Sequence, residues 1–312
     1  MIKLLQIKEA SKRIEKYIHL TPILTSSVLN DRTGADLFFK CENFQKSGSF
    51  KIRGVTNTVL QLTEQELEKG VVTVSSGNHG AALAKAVAKL GISPKIIMPK
   101  NTPKVKVDNV IRNGGEIIWC EPNQVSRNNT LNNILQKTSS TLVHPYDDSR
   151  IIEGQGTAAL ELLNQISNLD MVVTPVSGGG LLTGTLCSII GVNKDIKVYG
   201  AEPIEADDAY RSLISGYIEK NETTNTICDG LRAQIGKITF PIIKDNVNGI
   251  FTLTEEEIII SMRLIWETMK IIVEPSCSIA LAAVIKNRNI FDGKRVGIIL
   301  SGGNVDLNNL PW

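Results

Sequence analysis

Histidine is nearly missing from this chain, and the little there is stands alone. His19, His79 and His144 are the only three, and none is spaced from a cysteine or glutamate as a zinc ligand would be, so no histidine-based metal centre is expected. Cysteine is sparse too. Cys41, Cys120, Cys187, Cys228 and Cys277 are scattered singly and odd in number, which fits reduced buried thiols in a cytoplasmic protein better than a disulfide framework or a zinc site. Charge of one sign is not in excess: a net charge of +2 without a long basic run leaves no footprint for nucleic acid or an anionic membrane. A long apolar run is also lacking. Residues 1–16 alternate charges with Ile and Leu at helical spacing, so they read as neither a signal peptide nor a membrane span. The expected partner is a small molecule.

Material for a core is ample, with 42% hydrophobic and 21% charged residues, an ordinary soluble globular mixture. At 312 residues the chain exceeds one typical domain, and two lobes with a cleft are expected. Mostly apolar, β-rich runs at 37–41, 71–75, 95–98, 116–120, 141–144, 171–176, 197–200, 249–253 and 295–300 read as strands. Helical spacing occupies 81–90, 105–112, 158–166, 255–269 and 279–285. Continuous apolar strands alternating with helices mean parallel sheets covered on both faces, an α/β fold. No fixed-period repeat or low-complexity linker appears. The lobes are therefore joined by short crossings, for which the polar stretches 63–70 and 146–149 are candidates.

Four stretches carry chemistry. In Gly48–Gly54, Lys51 stands among bulky apolar neighbours; burial favours the neutral amine, a nucleophile able to form a Schiff base with a carbonyl cofactor, although a lysine after a phenylalanine is ordinarily solvated. At Ser75-Ser76-Gly77-Asn78-His79-Gly80 a strand gives way to an alanine-rich helix, whose free N–H groups can hold a carboxylate or be met by a plain cap. At Ser177-Gly178-Gly179-Gly180-Leu181 another strand opens into a helix, and consecutive glycines let amides converge on a phosphate. A dinucleotide reading competes here, because Glu202 stands 22 positions after Gly180, like a ribose-binding acid. Against it, Gly178, Gly180 and Gly184 miss G-x-G-x-x-G by one residue. The fourth stretch, Ser301-Gly302-Gly303-Asn304, ends the last strand. Strand carboxyl ends of open α/β sheets face the ligand crevice. Together the four offer an amine, a carboxylate pocket, a phosphate nest and a neutral hydroxyl, the fittings expected around pyridoxal phosphate.

With these motifs the chain resembles, over essentially its whole length, the serine racemase and serine/threonine dehydratase family of fold-type II (β-family) pyridoxal-phosphate enzymes, and within it the racemase members. The resemblance also runs through His19-Leu20-Thr21-Pro22, Phe38 to Asn43, Gly154-Gln155-Gly156-Thr157, Gly200-Ala201-Glu202-Pro203, Glu274-Pro275-Ser276 and Ser301 to Asp306. It implies two open, twisted, mostly parallel sheets, a large domain of 1–66 and 147–312, a small domain of 67–146, and an active site in the cleft between them. Lys51 would bear the cofactor and act as base on one face of the substrate carbon, with Ser76 on the other. Phe50, Asn78, Ser177, Gly178, Gly179, Gly180, Leu181 and Ser301 would hold the cofactor, Asn78 at the ring oxygen and Ser301 at the pyridine nitrogen. Ser75, Ser76, Gly77, Asn78, His79 and Arg127 would bind substrate. Glu202, Ala206 and Asp208 match a metal site whose oxygen donors suit Mg2+, or Ca2+ or Mn2+; without the resemblance that run reads as a solvated acidic helix start.

Two positions depart from the family pattern. Ser177 replaces the first of four glycines, tolerable if its φ is negative, and Cys277 stands where glycine is usual, behind the cofactor. Only six residues follow Asp306, so the regulatory tail of biosynthetic threonine dehydratases is not expected. The resemblance implies a cytoplasmic homodimer that racemises serine and dehydrates it to pyruvate and ammonia, with a nucleotide effector left open. Dehydration of threonine, serine or 3-hydroxyaspartate without racemisation is the alternative. A nicotinamide-dependent oxidoreductase and a non-catalytic ligand sensor are the remote ones.

Overall fold

The computed structural model describes residues 2–75 and 77–312, and it contains two sheets. The larger takes β1 (Ile23–Leu24), β2 (Asp36–Cys41), β7 (Met171–Pro175), β8 (Lys197–Pro203), β9 (Gly249–Leu253) and β10 (Arg295–Leu300), in the order β1-β2-β10-β7-β8-β9. Only the β1–β2 pair is antiparallel. The smaller takes β3 (Val71–Val74), β4 (Lys95–Pro99), β5 (Glu116–Cys120) and β6 (Thr141–Leu142), all parallel, in the order β5-β4-β3-β6. The chain thus leaves the larger sheet after β2, completes the smaller one, and returns at β7. The α/β reading and the parallel sheets hold. Among the described residues no helix is long and apolar enough to cross a membrane, and all five cysteines are free and buried.

Strands such as Met-Val-Val-Thr-Pro in β7 are buried on both faces, because helices cover each side of the larger sheet with separate apolar clusters, one around Ile279–Val284 and one around Leu181–Ile189. Pairing aligns the carboxyl ends: Leu300 faces Cys41, Pro175 faces Ala201, and Pro203 faces Leu253. The loops that follow therefore emerge along one edge. Helices Ser149–Gln165, Lys51–Val59 and Gly180–Val192 meet backbone to backbone, since a Cβ on Gly154 would overlap Arg53 and Gly54, and one on Gly184 would overlap Ile152 and Gly156.

Several boundaries differ from expectation. The helix expected at 158–166 starts at Ser149, where the Asp148 carboxylate accepts from Arg150 N at 2.8 Å; Asp148 caps a helix that the polar stretch disguises. The 63–70 crossing carries a short helix, Glu64–Glu68, opened by a Thr63–Glu66 capping box. The strand expected at 141–144 pairs only at Thr141–Leu142. Helices Lys51–Val59 and Gln124–Thr138 were not expected; the latter is rich in asparagine, a poor helix former, and is held by Leu131, Ile134 and Leu135 packed on the smaller sheet.

Beneath the Lys51–Val59 helix lies a fully buried guanidinium. Arg53 donates to Glu42 Oε2 at 2.6 Å and Oε1 at 2.8 Å, to both Glu161 oxygens at 2.7 Å, and to Thr157 Oγ1 at 3.1 Å. Lys40, also buried, donates to Glu161 at 2.7 Å, Gln165 at 2.8 Å and Thr21 O at 2.9 Å. Removing one member of such a cluster leaves unpaired buried charge, at a cost of about 3–5 kcal/mol. Arg53→Met is accordingly expected to lower stability by that order in urea unfolding of the cofactor-free protein; an unchanged midpoint would show that the cluster is incidental.

Candidate active site

The loops at the aligned edge bring most of the singled-out residues together. Lys51 opens its helix directly after Phe50, and Phe50 is fixed by donating N–H to Ser301 O at 3.0 Å. Ser49 bridges to Gly302, and Gly303 N donates to Gly48 O at 2.9 Å. The turn after β10 is thereby strapped to the base of Lys51. The ammonium donates to Pro145 O at 2.8 Å and lies 5.2 Å from the centre of the Phe50 ring. With no carboxylate pairing with it among the described residues, burial brings its pKa down to about 8.

Residues 143–147 form the turn on which these parts converge. His144 Nδ1 accepts from Tyr146 N at 3.3 Å and Asp147 N at 2.8 Å. Asp147 accepts from Lys237 N at 3.0 Å and Ile238 N at 2.8 Å, at the start of the Thr239–Asn246 helix. Tyr146 lies against the glycine loop: a Cβ on Gly178 would overlap its ring. Gly179, at φ +88°, turns the chain into the Gly180–Val192 helix, a conformation that favours glycine. Amides of that helix's first turn have no intrahelical acceptor and face the same edge. Leu181 is buried in this first turn. Ser177 is absent from the residues with positive φ, so it replaces glycine without strain, and its hydroxyl accepts from Ala233 N at 3.1 Å and donates to Ala233 O at 3.3 Å.

Across the cleft, Ser75 Oγ accepts from Gly77 N at 3.2 Å and Gly80 N at 2.9 Å. Asn78 donates Nδ2–H to Glu274 Oε1 at 2.6 Å and accepts from Asn304 Nδ2 at 2.8 Å, leaving one amide hydrogen available. His79 is buried and its Nε2 lies 3.1 Å from Val143 O. A carbonyl only accepts, so that nitrogen carries the proton. Nδ1 is buried without a partner among the described residues, and burial, with Lys51 nearby, holds the ring well below the usual pKa and neutral. Ser76 lies outside the described residues. Arg127 stands in the first turn of the Gln124–Thr138 helix, which packs on the smaller sheet; its Nε is buried and unpaired among the described residues.

A pyridoxal phosphate suits these fittings: an amine of lowered pKa, a glycine helix start packed against Tyr146, and a serine, Ser301, strapped next to the lysine. Behind them Cys277 is fully buried and its thiol pushed far up by burial, so it acts as packing. Glu202 is also fully buried. It accepts from Ala209 N at 3.3 Å and Tyr210 N at 2.9 Å, which leaves no access for a ribose and argues against the dinucleotide reading. Asp208 accepts from Ile235 N and from Asn221 Nδ2, each at 2.7 Å, and burial raises its carboxyl to about 6. Burial first, then Asp208, pushes Glu202 well above the usual range. Two neighbouring buried carboxylates beside buried Ala206, short of positive charge, suit a hard cation. Sequence reasoning missed Tyr146, Asp147 and Lys106; the first two were legible only as a polar crossing.

Known proteins resemble this chain closely. The family profile described as "Pyridoxal-phosphate dependent enzyme" matches residues 14–302. A Dictyostelium discoideum protein named serine racemase is 49% identical over 313 residues, covering 99% of this chain and 97% of its own length. A beta-hydroxyaspartate dehydratase of Paracoccus denitrificans is 46% identical, covering 97% of this chain and 96% of its own. Among solved structures, that of the Dictyostelium racemase superposes with a TM-score of 0.92 over 98% of this chain and 99% of the other. A T.th. threonine deaminase gives 0.93 at 37% identity, with the same coverages.

Because burial favours its neutral form, Lys51 of the cofactor-free protein should react with an amine-directed reagent along a curve whose midpoint lies near pH 8. A surface lysine titrates near pH ~10.4. Peptide mapping of the modified protein reads this directly, and a Lys51 midpoint above pH ~10 would mean that the amine is solvated.

Proposed function

This chain belongs to the pyridoxal-phosphate dependent enzymes, and from that premise we propose that it interconverts the enantiomers of serine and eliminates water from serine to give pyruvate and ammonia. Support comes chiefly from Lys51, a buried amine without a carboxylate partner among the described residues, set where the edges of the glycine loop and the Ser75–His79 loop meet. Pyridoxal phosphate, when bound, supplies the electron sink that lets an amino acid's α-proton leave.

The chain's residues do the rest. Amides around Gly178 to Leu181 would hold the cofactor's phosphate, and the spare Asn78 amide hydrogen and the Ser301 hydroxyl would hold its ring, Asn78 on the oxygen side and Ser301 on the pyridine nitrogen side. A hydroxyl has no charge with which to keep that nitrogen protonated, which moderates the sink and suits proton exchange and β-elimination better than transamination. Amides at the start of the Asn78–Ala88 helix hold the substrate carboxylate. Lys51 takes the α-proton of L-serine on one face and Ser76 serves the other. Return of a proton from the Ser76 side inverts the centre, and loss of the β-hydroxyl leads to pyruvate. Arg127 helps to hold the substrate carboxylate in this reading. Glu202, the Ala206 carbonyl and Asp208 hold Mg2+ in this reading, with Ca2+ or Mn2+ as alternatives. The five buried thiols suit the reducing cytoplasm, and a homodimer completes the proposal. A second reading, dehydration of 3-hydroxyaspartate, draws on the likeness to the Paracoccus dehydratase.

Product analysis from separate L-serine and D-serine incubations tests the main reading, which requires the opposite enantiomer and pyruvate from both. Ser76→Ala should nearly abolish racemisation and D-serine elimination, by ~100- to 10,000-fold, while sparing much of L-serine elimination. Equal loss of both reactions with the cofactor still bound would make Ser76 a positioning residue. For the metal, Mg2+ should raise the melting temperature of the unsubstituted protein by mass action and leave Asp208→Ala unmoved; identical responses would remove the site.

A further inference from the structure

Lys106 is a second buried lysine near the cleft, and the mechanism above does not use it. It stands on the Lys104–Arg112 helix, on the smaller sheet's side, with only 7% of its surface exposed. Its stem lies along Gly77: a Cβ there would come within 3.0 Å of Lys106 Cδ and 3.3 Å of Nζ. The ammonium is ion-paired with Asp229, in the Asp229–Leu231 turn on the larger sheet's side, and lies 4.0 Å from Glu274 Oε2. That oxygen is buried and has no hydrogen-bond partner among the described residues. Glu274 Oε1 takes the Asn78 amide at 2.6 Å, and Asn304, which donates to Asn78 Oδ1 at 2.8 Å, also donates to Ser47 O at 2.9 Å. Two consecutive residues, Gly77 and Asn78, thus meet the other layer through Lys106, Glu274 and Asn304.

An isolated buried ammonium is strongly disfavoured, and so is an isolated buried carboxylate. Burial raises the Glu274 carboxyl to about 7, with Lys106 drawing it back down. Each charge is therefore tolerated only while the two layers are together. We infer that Lys106 is a positioning residue, a clasp that holds the Ser75–His79 loop against the larger layer through Asp229 and Glu274 and so orients the amides that receive the substrate carboxylate. This rests on the proposed role of that loop. Lys106 touches neither cofactor nor substrate in this account; it acts through Gly77 and Asn78.

The test uses the cofactor-loaded enzyme and the variants Lys106→Met, Lys106→Arg, Asp229→Asn and the Lys106→Met/Asp229→Asn double variant. Lys106→Met should raise KM for L-serine about tenfold or more with a smaller change in kcat, and leave the bound cofactor's absorbance in place. Lys106→Arg should recover most of the loss. The double variant should be no worse than Lys106→Met alone, because each change breaks the same pair. Hydrogen exchange of the amides at 77–81 needs no turnover and should accelerate in Lys106→Met, in loaded and cofactor-free protein alike. Unchanged exchange and KM in the folded variant would overturn the clasp, as would a Lys106→Arg variant no better than Lys106→Met. Failure of the unsubstituted enzyme to turn over serine would count against the proposed reaction, and the exchange measurement would still decide on the clasp.

Discussion

Arg53 is the constraint on which the site depends. A guanidinium cannot shed its charge, so burying it requires that acids be brought to it, and Glu42 and Glu161 come from different parts of the chain. Glu42 follows β2, Glu161 belongs to the Ser149–Gln165 helix, and Arg53 sits two residues beyond Lys51 on its own helix. Satisfying that one cation locks strand, long helix and Lys51 helix in a single arrangement. Lys51 is thereby held at a helix start that it could not leave without exposing the acids below.

Three buried or half-buried lysines show how the surroundings divide structural from chemical roles. Lys40 meets Glu161, and Lys106 meets Asp229; both serve as ties. Lys51 has no carboxylate partner among the described residues and donates to a carbonyl, so burial has no acid to oppose it and the neutral amine becomes accessible near pH 8. Proximity to an acid, rather than depth of burial, separates the tie from the nucleophile. The same logic runs in reverse at Glu202 and Asp208, where two buried acids lack a cation of their own among the described residues.

Much of this was legible in the sequence because it is local. Continuous apolar runs such as Arg295–Leu300 announce parallel strands covered on both faces, and the Ser-Gly and Gly-Gly turns after them announce where a parallel sheet opens to ligands. The unread part is long-range. Tyr146 and Asp147 look like an ordinary polar crossing until the fold lays them on Gly178 and on the Thr239–Asn246 helix. Lys106 looks like a surface lysine in the run Lys-Val-Lys until its layer meets Asp229. The Gln124–Thr138 helix escaped for another reason: its asparagines weaken the local signal, and tertiary packing of Leu131, Ile134 and Leu135 supplies what propensity does not. Charged residues inside apolar runs, Lys40 in Phe-Phe-Lys-Cys above all, were the one available hint of the buried ionic cluster.

The central claim is that Lys51, and no other lysine, carries the cofactor. Borohydride reduction of the yellow, cofactor-loaded protein followed by peptide mass spectrometry addresses it directly. The account predicts a bleached protein with a stable pyridoxyl-phosphate adduct on the peptide containing Lys51. A colourless protein, or an adduct located on another lysine while Lys51 remains unmodified, would contradict it.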